Sequence, residues 1–266
     1  MRRARYILVA AILAVFATGC FDIEESIDLK KDMSGTANLK LGVDMEPMIT
    51  IMAMMQKQME GKKGPLTKEE LAAAKADFKK SAKKTSSTET APDPKKDMDK
   101  SLPPGVKLLD ASVTEKEFGM VTNMKFAFDK LAHLVDVKMP SKAKGGPPDP
   151  TKSNVLDSPF QGLDVVETAS TITIRTKPQN PADKVKSETS SQGPPMDPET
   201  QKMMEDAFKG MRFAWKITAP FEVVSSNAHR REGNTLIWEY DFKKLQALGD
   251  NPKAMDDLAV KVVYKK

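Results

Sequence analysis

The chain has 266 residues, with 42 Lys and Arg against 37 Asp and Glu, one cysteine and two histidines. The formal charge of +5 is well mixed, and no basic block carries interleaved aromatics, which argues against nucleic acid as a partner. A lone thiol excludes a disulfide framework, a redox pair or a thiolate metal centre.

Arg2, Arg3 and Arg5 open the chain, an apolar run follows from Tyr6 to Phe16, and Ala17-Thr18-Gly19-Cys20 closes it. The run is short for a bilayer span and acidic residues follow at once, so residues 1–19 form a cleaved export signal. Ala17-Thr18-Gly19-Cys20 resembles the lipobox of bacterial lipoproteins. The resemblance implies cleavage between Gly19 and Cys20 and a diacylglyceryl group on the Cys20 sulfur. Loss of three arginines then lowers the formal charge to +2. Phe21, rather than aspartate, follows the cysteine, which by resemblance to enterobacterial sorting favours the outer membrane, facing the periplasm.

The rest, 20–266, is expected to be a single α+β domain, mostly antiparallel sheet with two or three helices. Phe21, Ile23, Ile27 and Leu29 alternate, broken by Glu25, and Ala37, Leu39, Leu41 and Val43 resume the pattern. The two strands predict a hairpin whose turn, Asp32-Met33-Ser34-Gly35, places glycine at the positive-φ position. From Glu46 to Gln58 the period changes: Met45, Met48, Met52, Met55 and Met59 are three and four apart, as on an amphipathic helix. A second helix starts at Thr67, with Thr67 and Glu70 at capping-box spacing, and runs toward Lys84. It is Ala- and Lys-rich and is expected to be exposed or loosely attached.

Val106 to Glu117 and Met120 to Asp129 read as strands, as do Leu163 to Glu167 and Thr171 to Thr176. Thr200 to Met211 predicts a helix with Met204, Phe208 and Met211 on its apolar side. Strands follow at Phe213–Ile217, Phe221–Val223, Leu236–Phe242 and Val260–Tyr264, with a charged turn around Arg230 to Asn234. Fourteen of the eighteen prolines fall in three segments, about 86–105, 140–159 and 178–198, so these are expected to be disordered insertions with little to bury.

The residues point to no enzyme and no cofactor. His133 and His229 lie far apart in sequence, and no phosphate loop, zinc helix or nucleophile elbow occurs. Glu24 and Glu25 are neighbours on a strand, so they face opposite sides and are expected to be solvated. The seventeen methionines cluster in two predicted helices and leave three readings open. They are core, or an adaptable apolar surface, or a soft-metal site, the last without supporting His or Cys. On the second reading Met48, Met52, Met55, Met204, Phe208 and Met211 face an apolar or amphiphilic ligand, in a cavity between the two helices. Trp215, Trp238, Tyr240 and Phe242 are expected to pack across adjacent strands.

Ile23 to Val43 around Asp32-Met33-Ser34-Gly35, and Ser226 to Trp238 with Asn227 near its start, resemble the two ends of the LppM-type lipoprotein domain. The resemblance implies an exported α+β domain, with lipid or glycolipid binding, and carries over no catalytic residue. Members of that family often have a C-terminal membrane helix, whereas this chain reaches Val262-Val263-Tyr264-Lys265-Lys266 without one. The lipid on Cys20 is then expected to be the sole anchor. The leading expectation is a non-enzymatic envelope lipoprotein that binds a lipid-like ligand; the alternative is a structural lipoprotein that contacts envelope proteins.

Overall fold

Alternation from Phe21 onward builds β1 (Phe21–Leu29), and it pairs antiparallel with β2 (Gly35–Asp44) from Phe21↔Val43 to Leu29↔Gly35. The computed structural model describes residues 21–62, 64–86, 98, 102–137, 160, 162–176, 202, 205–206, 208–249 and 259–266. Gly19, Cys20, Met204 and almost all of the three Pro-rich segments lie outside the described residues.

The β1–β2 turn corrects one expectation. The left-handed residue is Met33 (φ 65°), not Gly35. The Asp32 carboxylate holds the turn, accepting bonds from the Ser34 backbone N–H (3.0 Å) and hydroxyl (2.7 Å). Gly35 already belongs to β2, where a Cβ would run into the Asp28 carbonyl oxygen and the Phe128 ring. Glycine is needed there for close approach, not for backbone freedom.

β2 pairs with β4 (Gly119–Phe128), which pairs with β3 (Val106–Lys116). On its other edge β1 pairs in parallel with β7 (Arg212–Thr218), followed by β10 (Thr235–Asp241) and the short β9 (Arg230–Glu232). The large sheet therefore runs β3-β4-β2-β1-β7-β10-β9. A second sheet has β5 (Leu163–Glu167) and β6 (Thr171–Thr176), then β11 (Lys261–Lys265) and β8 (Glu222–Ser226), all antiparallel. The α+β class with mostly antiparallel pairing is as expected; the β1–β7 ladder is the parallel exception.

One core joins the two sheets. Ile27, Phe126 and Trp238 of the large sheet and Ile172, Ile174, Val262 and Tyr264 of the small one are all essentially inaccessible and belong to one cluster. A short 3-10 helix, Leu131–Asp136, adds Leu131 and Leu134, and Phe160 meets Phe126 edge-on at 6.1 Å. Met98 is buried in this core although it falls in a segment expected to bury little.

Asn227 staples the sheets at the crossover from β8 to β9. Its carbonyl oxygen accepts bonds from the Trp238 indole N–H (2.8 Å) and the Lys261 N–H (2.9 Å), while its amide donates to the Ala259 carbonyl (2.7 Å). The two ends of the Asn-to-Trp stretch noted in the sequence are thus hydrogen-bonded to each other.

Helices attach mainly at the end of the large sheet where β1 begins. α1 (Glu46–Met59) follows β2, α2 (Lys68–Ser86) folds back against it, and α3 (Phe242–Gly249) follows β10. The predicted capping box is present: the Thr67 N–H donates to Glu70 Oε2 (2.7 Å) and the Glu70 N–H to Thr67 Oγ1 (3.2 Å). Phe242 departs from its expected place on a strand. The Asp241 carboxylate accepts the Lys244 N–H (2.8 Å), starting a helix at Phe242 and ending the alternation one residue early.

Gly35→Ala is expected to cost more than about 2 kcal/mol, because backbone rather than a flexible side chain blocks the added methyl. Asn227→Ala should cost about 2 kcal/mol by leaving the buried Trp238 indole N–H unpaired. Urea denaturation midpoints of the two variants check both values.

Candidate functional site

Strand register gathers several apolar side chains at the near end of the large sheet, the end holding Phe21. Phe21 lies opposite Val43, Val43 opposite Met120, and Asp22 opposite Arg212. Two residues after Asp44, α1 begins, its entry fixed by the Met45 N–H donating to the Phe118 carbonyl (2.7 Å). Phe118 sits in the β3–β4 turn beneath the Lys75 and Lys79 ammonium groups of α2, 5.5 and 5.1 Å from its ring centre. Lys75 also pairs with Glu46, Lys79 with Glu117 (2.6 Å) and Lys57 with Glu70 (2.7 Å). α2 is therefore tethered to α1 and the turn largely by ion pairs.

The methionine stripe of α1 does not enter the core. Ile49 is the buried residue of the helix and Met48 is half-buried, while Met52, Met55 and Met59 are 50%, 55% and 82% exposed. The helical period was legible, but the core reading fails for Met52, Met55 and Met59, which the described residues leave half or more exposed. Phe208 and Met211 are half-buried near the start of β7; the Met211 N–H donates to the Phe208 carbonyl (2.8 Å), and Phe208 stacks on Phe242 at 5.2 Å. Phe208 and Met211 thus belong to the same end of the sheet as the α1 methionines; Met204 lies outside the described residues. Met52 and Met55 face solvent, so they line no closed cavity among the described residues. A groove of about 200 Å³ lies between α1 and α2, but its walls are Ala53, Gln56, Lys57, Glu60, Glu70 and neighbouring residues, not the methionines.

One exposed apolar side chain, Met120, adds to this end. Met120, at the start of β4, is exposed because the small sheet does not cover it, and Leu41, Phe213 and Trp215 are partly buried nearby. The alternation of β4 put Met120 on the same side as Met124, but where that side stops being covered depends on the reach of a second sheet.

The opposite face of β1 carries charge. Arg212 donates to Asp22 (2.9 Å), Glu24 (2.7 Å) and Glu239 (3.1 Å), with Lys40 on Asp22 (2.8 Å), Lys216 on Glu24 (2.8 Å) and Arg230 on Glu239 (2.9 Å). Burial alone would raise the Asp22 and Glu24 carboxyls. Bonds from Lys40 and Arg212 to Asp22, and from Lys216 and Arg212 to Glu24, outweigh it and hold both below the usual range. These carboxylates converge but stay ionised, so Asp22 and Glu24 are not poised to carry a proton near neutrality.

Glu25 faces the other way, as strand alternation required, but it is not solvated. It is 8% exposed on the core side beside Leu39 and Trp215 in the register, and its Oε2 has no hydrogen-bond partner among the described residues. Burial pushes its carboxyl well above the ordinary carboxylate range. Among the described residues, neither histidine gathers a nucleophile or a second base around it. His133 Nδ1 bonds Asp129 (2.7 Å), and His229 Nδ1 accepts the Glu239 N–H (2.9 Å). Among the described residues, no three His, Cys, Asp or Glu side chains are grouped to hold a metal. No helix among them is long and apolar enough to cross a membrane.

The raised Glu25 carboxyl sets a pH dependence. Below the ordinary value of 4.5, folded and unfolded chains both hold the proton and the contribution is fully favourable. Above it the unfolded chain ionises first, and stability falls by about 1.4 kcal/mol per pH unit until the folded-state value is reached. Glu25→Gln should match the parent at pH 4 and be more stable at pH 7, read by urea denaturation at both. An equal offset at the two pH values would refute the buried-carboxyl account.

No family profile matches the chain, and no curated protein does. Among solved structures, it is similar to the folded domain of LppM from Mycobacterium tuberculosis, determined by NMR, at 11% identity and a TM-score of 0.40. That similarity covers 93% of this chain and 89% of the other. At this TM-score it gives no ground for carrying over function, ligand or partner.

Proposed function

We propose that the chain is a non-enzymatic envelope lipoprotein, cleaved between Gly19 and Cys20 and lipid-anchored through Cys20, whose near end meets apolar or amphiphilic molecules. The observation that carries this reading is the meeting of two features. β1 starts at Phe21, the residue after the lipobox-like cysteine, and the same end of the sheet exposes Met52, Met55 and Met59. Unbranched thioether side chains repack around varied apolar partners, and leaving three in water on one helix face favours a binding role. Two or more acyl chains at Cys20 give stable anchorage where one is marginal. The outer membrane, facing the periplasm, is the proposed site, and nucleic acid and cofactors have no part in the proposal.

A structural or protein-interaction role without a small ligand is favoured by a different observation: the core between the sheets is filled by large side chains such as Trp238, Tyr264, Phe126 and Phe160. Two measurements separate the possibilities. The intact mass of the membrane-extracted protein should show a diacylglyceryl adduct and loss of residues 1–19, and Cys20→Ser should abolish the adduct; an unmodified Cys20 refutes anchoring. Native mass spectrometry of the Cys20→Ser chain, exported through a cleavable signal and released without detergent, should show a co-purifying lipid mass. A clean apo mass refutes ligand carriage and leaves the scaffold role.

A further inference from the structure

We infer that the α1–α2 hairpin is a membrane-docking element, which lays the Met52–Met55–Met59 face of α1 into an anionic phospholipid surface. The inference rests on the anchored reading above and adds to it a specific surface and a specific occupant.

The geometry begins with the stripe. At about 100° per residue, Met52, Met55 and Met59 fall within roughly 60° of one another on a helix about 21 Å long. Their exposure rises along the helix, from 50% to 82%, so the stripe turns outward away from the core contact made by Ile49. A contiguous apolar face on an exposed helix fits an interfacial helix lying in the headgroup plane.

The position of the hairpin selects the bilayer over other occupants. Phe21 is paired with Val43, adjacent strands are about 4.8 Å apart, and α1 starts at Glu46. By chain connectivity alone, the start of α1 therefore lies within roughly 20 Å of residue 20. No linker separates Cys20 from β1, so a lipid on Cys20 brings the near end of the sheet to the headgroups and α1 with it. Charge agrees. Residues 46–86 contain nine lysines (57, 62, 63, 68, 75, 79, 80, 83 and 84) against five acidic residues (Glu46, Glu60, Glu69, Glu70 and Asp77), a net +4. A basic segment carrying an apolar stripe matches an anionic lipid surface better than a neutral ligand or a second copy of the same basic hairpin.

The test uses the full mature chain with Cys20→Ser, so that no acyl anchor can mask docking by the hairpin. It is floated with vesicles of equal parts phosphatidylglycerol and phosphatidylcholine, and with phosphatidylcholine alone. The chain should float with the anionic vesicles, less with the neutral ones, and less again at 0.5 M salt. Met52→Glu, Met55→Glu and Met59→Glu together should lower partitioning at least tenfold. These side chains lie on the surface, so an unchanged circular dichroism spectrum and Tm will establish that the variant is folded. Equal flotation of parent and folded variant overturns the proposal, as does no flotation of the parent. A parent that does not float but forms a dimer lost in the triple variant overturns it in favour of a second copy. The intact-mass measurement of Cys20 is independent, so failure of anchoring and failure of docking are distinguishable.

Discussion

The parallel ladder between β1 and β7 is the constraint on which the rest of the molecule depends. It joins residues about 190 positions apart, and Arg212 secures it by reaching Asp22 and Glu24 on one strand and Glu239 on another. Closing a loop of that length costs conformational entropy, though the cost grows only slowly with loop length. Once closed, the ladder turns an N-terminal hairpin and a C-terminal meander into one sheet, with β1 near its middle. β7 then feeds β8 into the second sheet and β9 and β10 back into the first, so the core between the sheets exists only if this pairing forms. The pairing is also what gathers the start of β1, the helices that follow β2 and β10, and the residues before β7 at one end.

Charge and apolar side chains divide the labour along β1. Its outward residues sit in a nearly balanced ionic network, only partly exposed, where removal of one member leaves others uncompensated. Its inward residues supply core, except Glu25, whose Oε2 has no partner among the described residues and whose carboxyl burial drives toward the neutral form. The two neighbours Glu24 and Glu25 therefore respond to acid in opposite senses. One loses stabilisation as it is protonated in acid, and the other as it is forced to ionise at higher pH.

Local pattern revealed much of this chain. Alternation located β1, β2, β4, β6 and β10 to within a residue or two, and the Thr67–Glu70 spacing identified a real capping box. It failed where the deciding partner was remote in sequence. Parallel pairing of β1 with β7, and the division into two sheets, leave no local periodicity to read. The helical spacing of the α1 methionines was legible, but a stripe has the same spacing whether it is covered or bare. Phe242 continues the alternation of Trp238 and Tyr240, yet Asp241, a residue type that caps helices, starts one there. At the β1–β2 turn a glycine suggests backbone freedom, but what Gly35 supplies is room beside Asp28. The candidate site was legible in residue type and not in placement, because exposure is a property of what packs above.

The absence of slack between residue 20 and β1 has a mechanical consequence. Tension applied at residue 20 enters β1 along its own axis, near the middle of the sheet. The strand is held by nine register pairs to β2 and seven to β7, so the load falls on both ladders in shear and is shared among many bonds. A strand at the sheet edge pulled sideways would unzip one rung at a time. A domain loaded in this way can be dragged from the start of β1 without being peeled open.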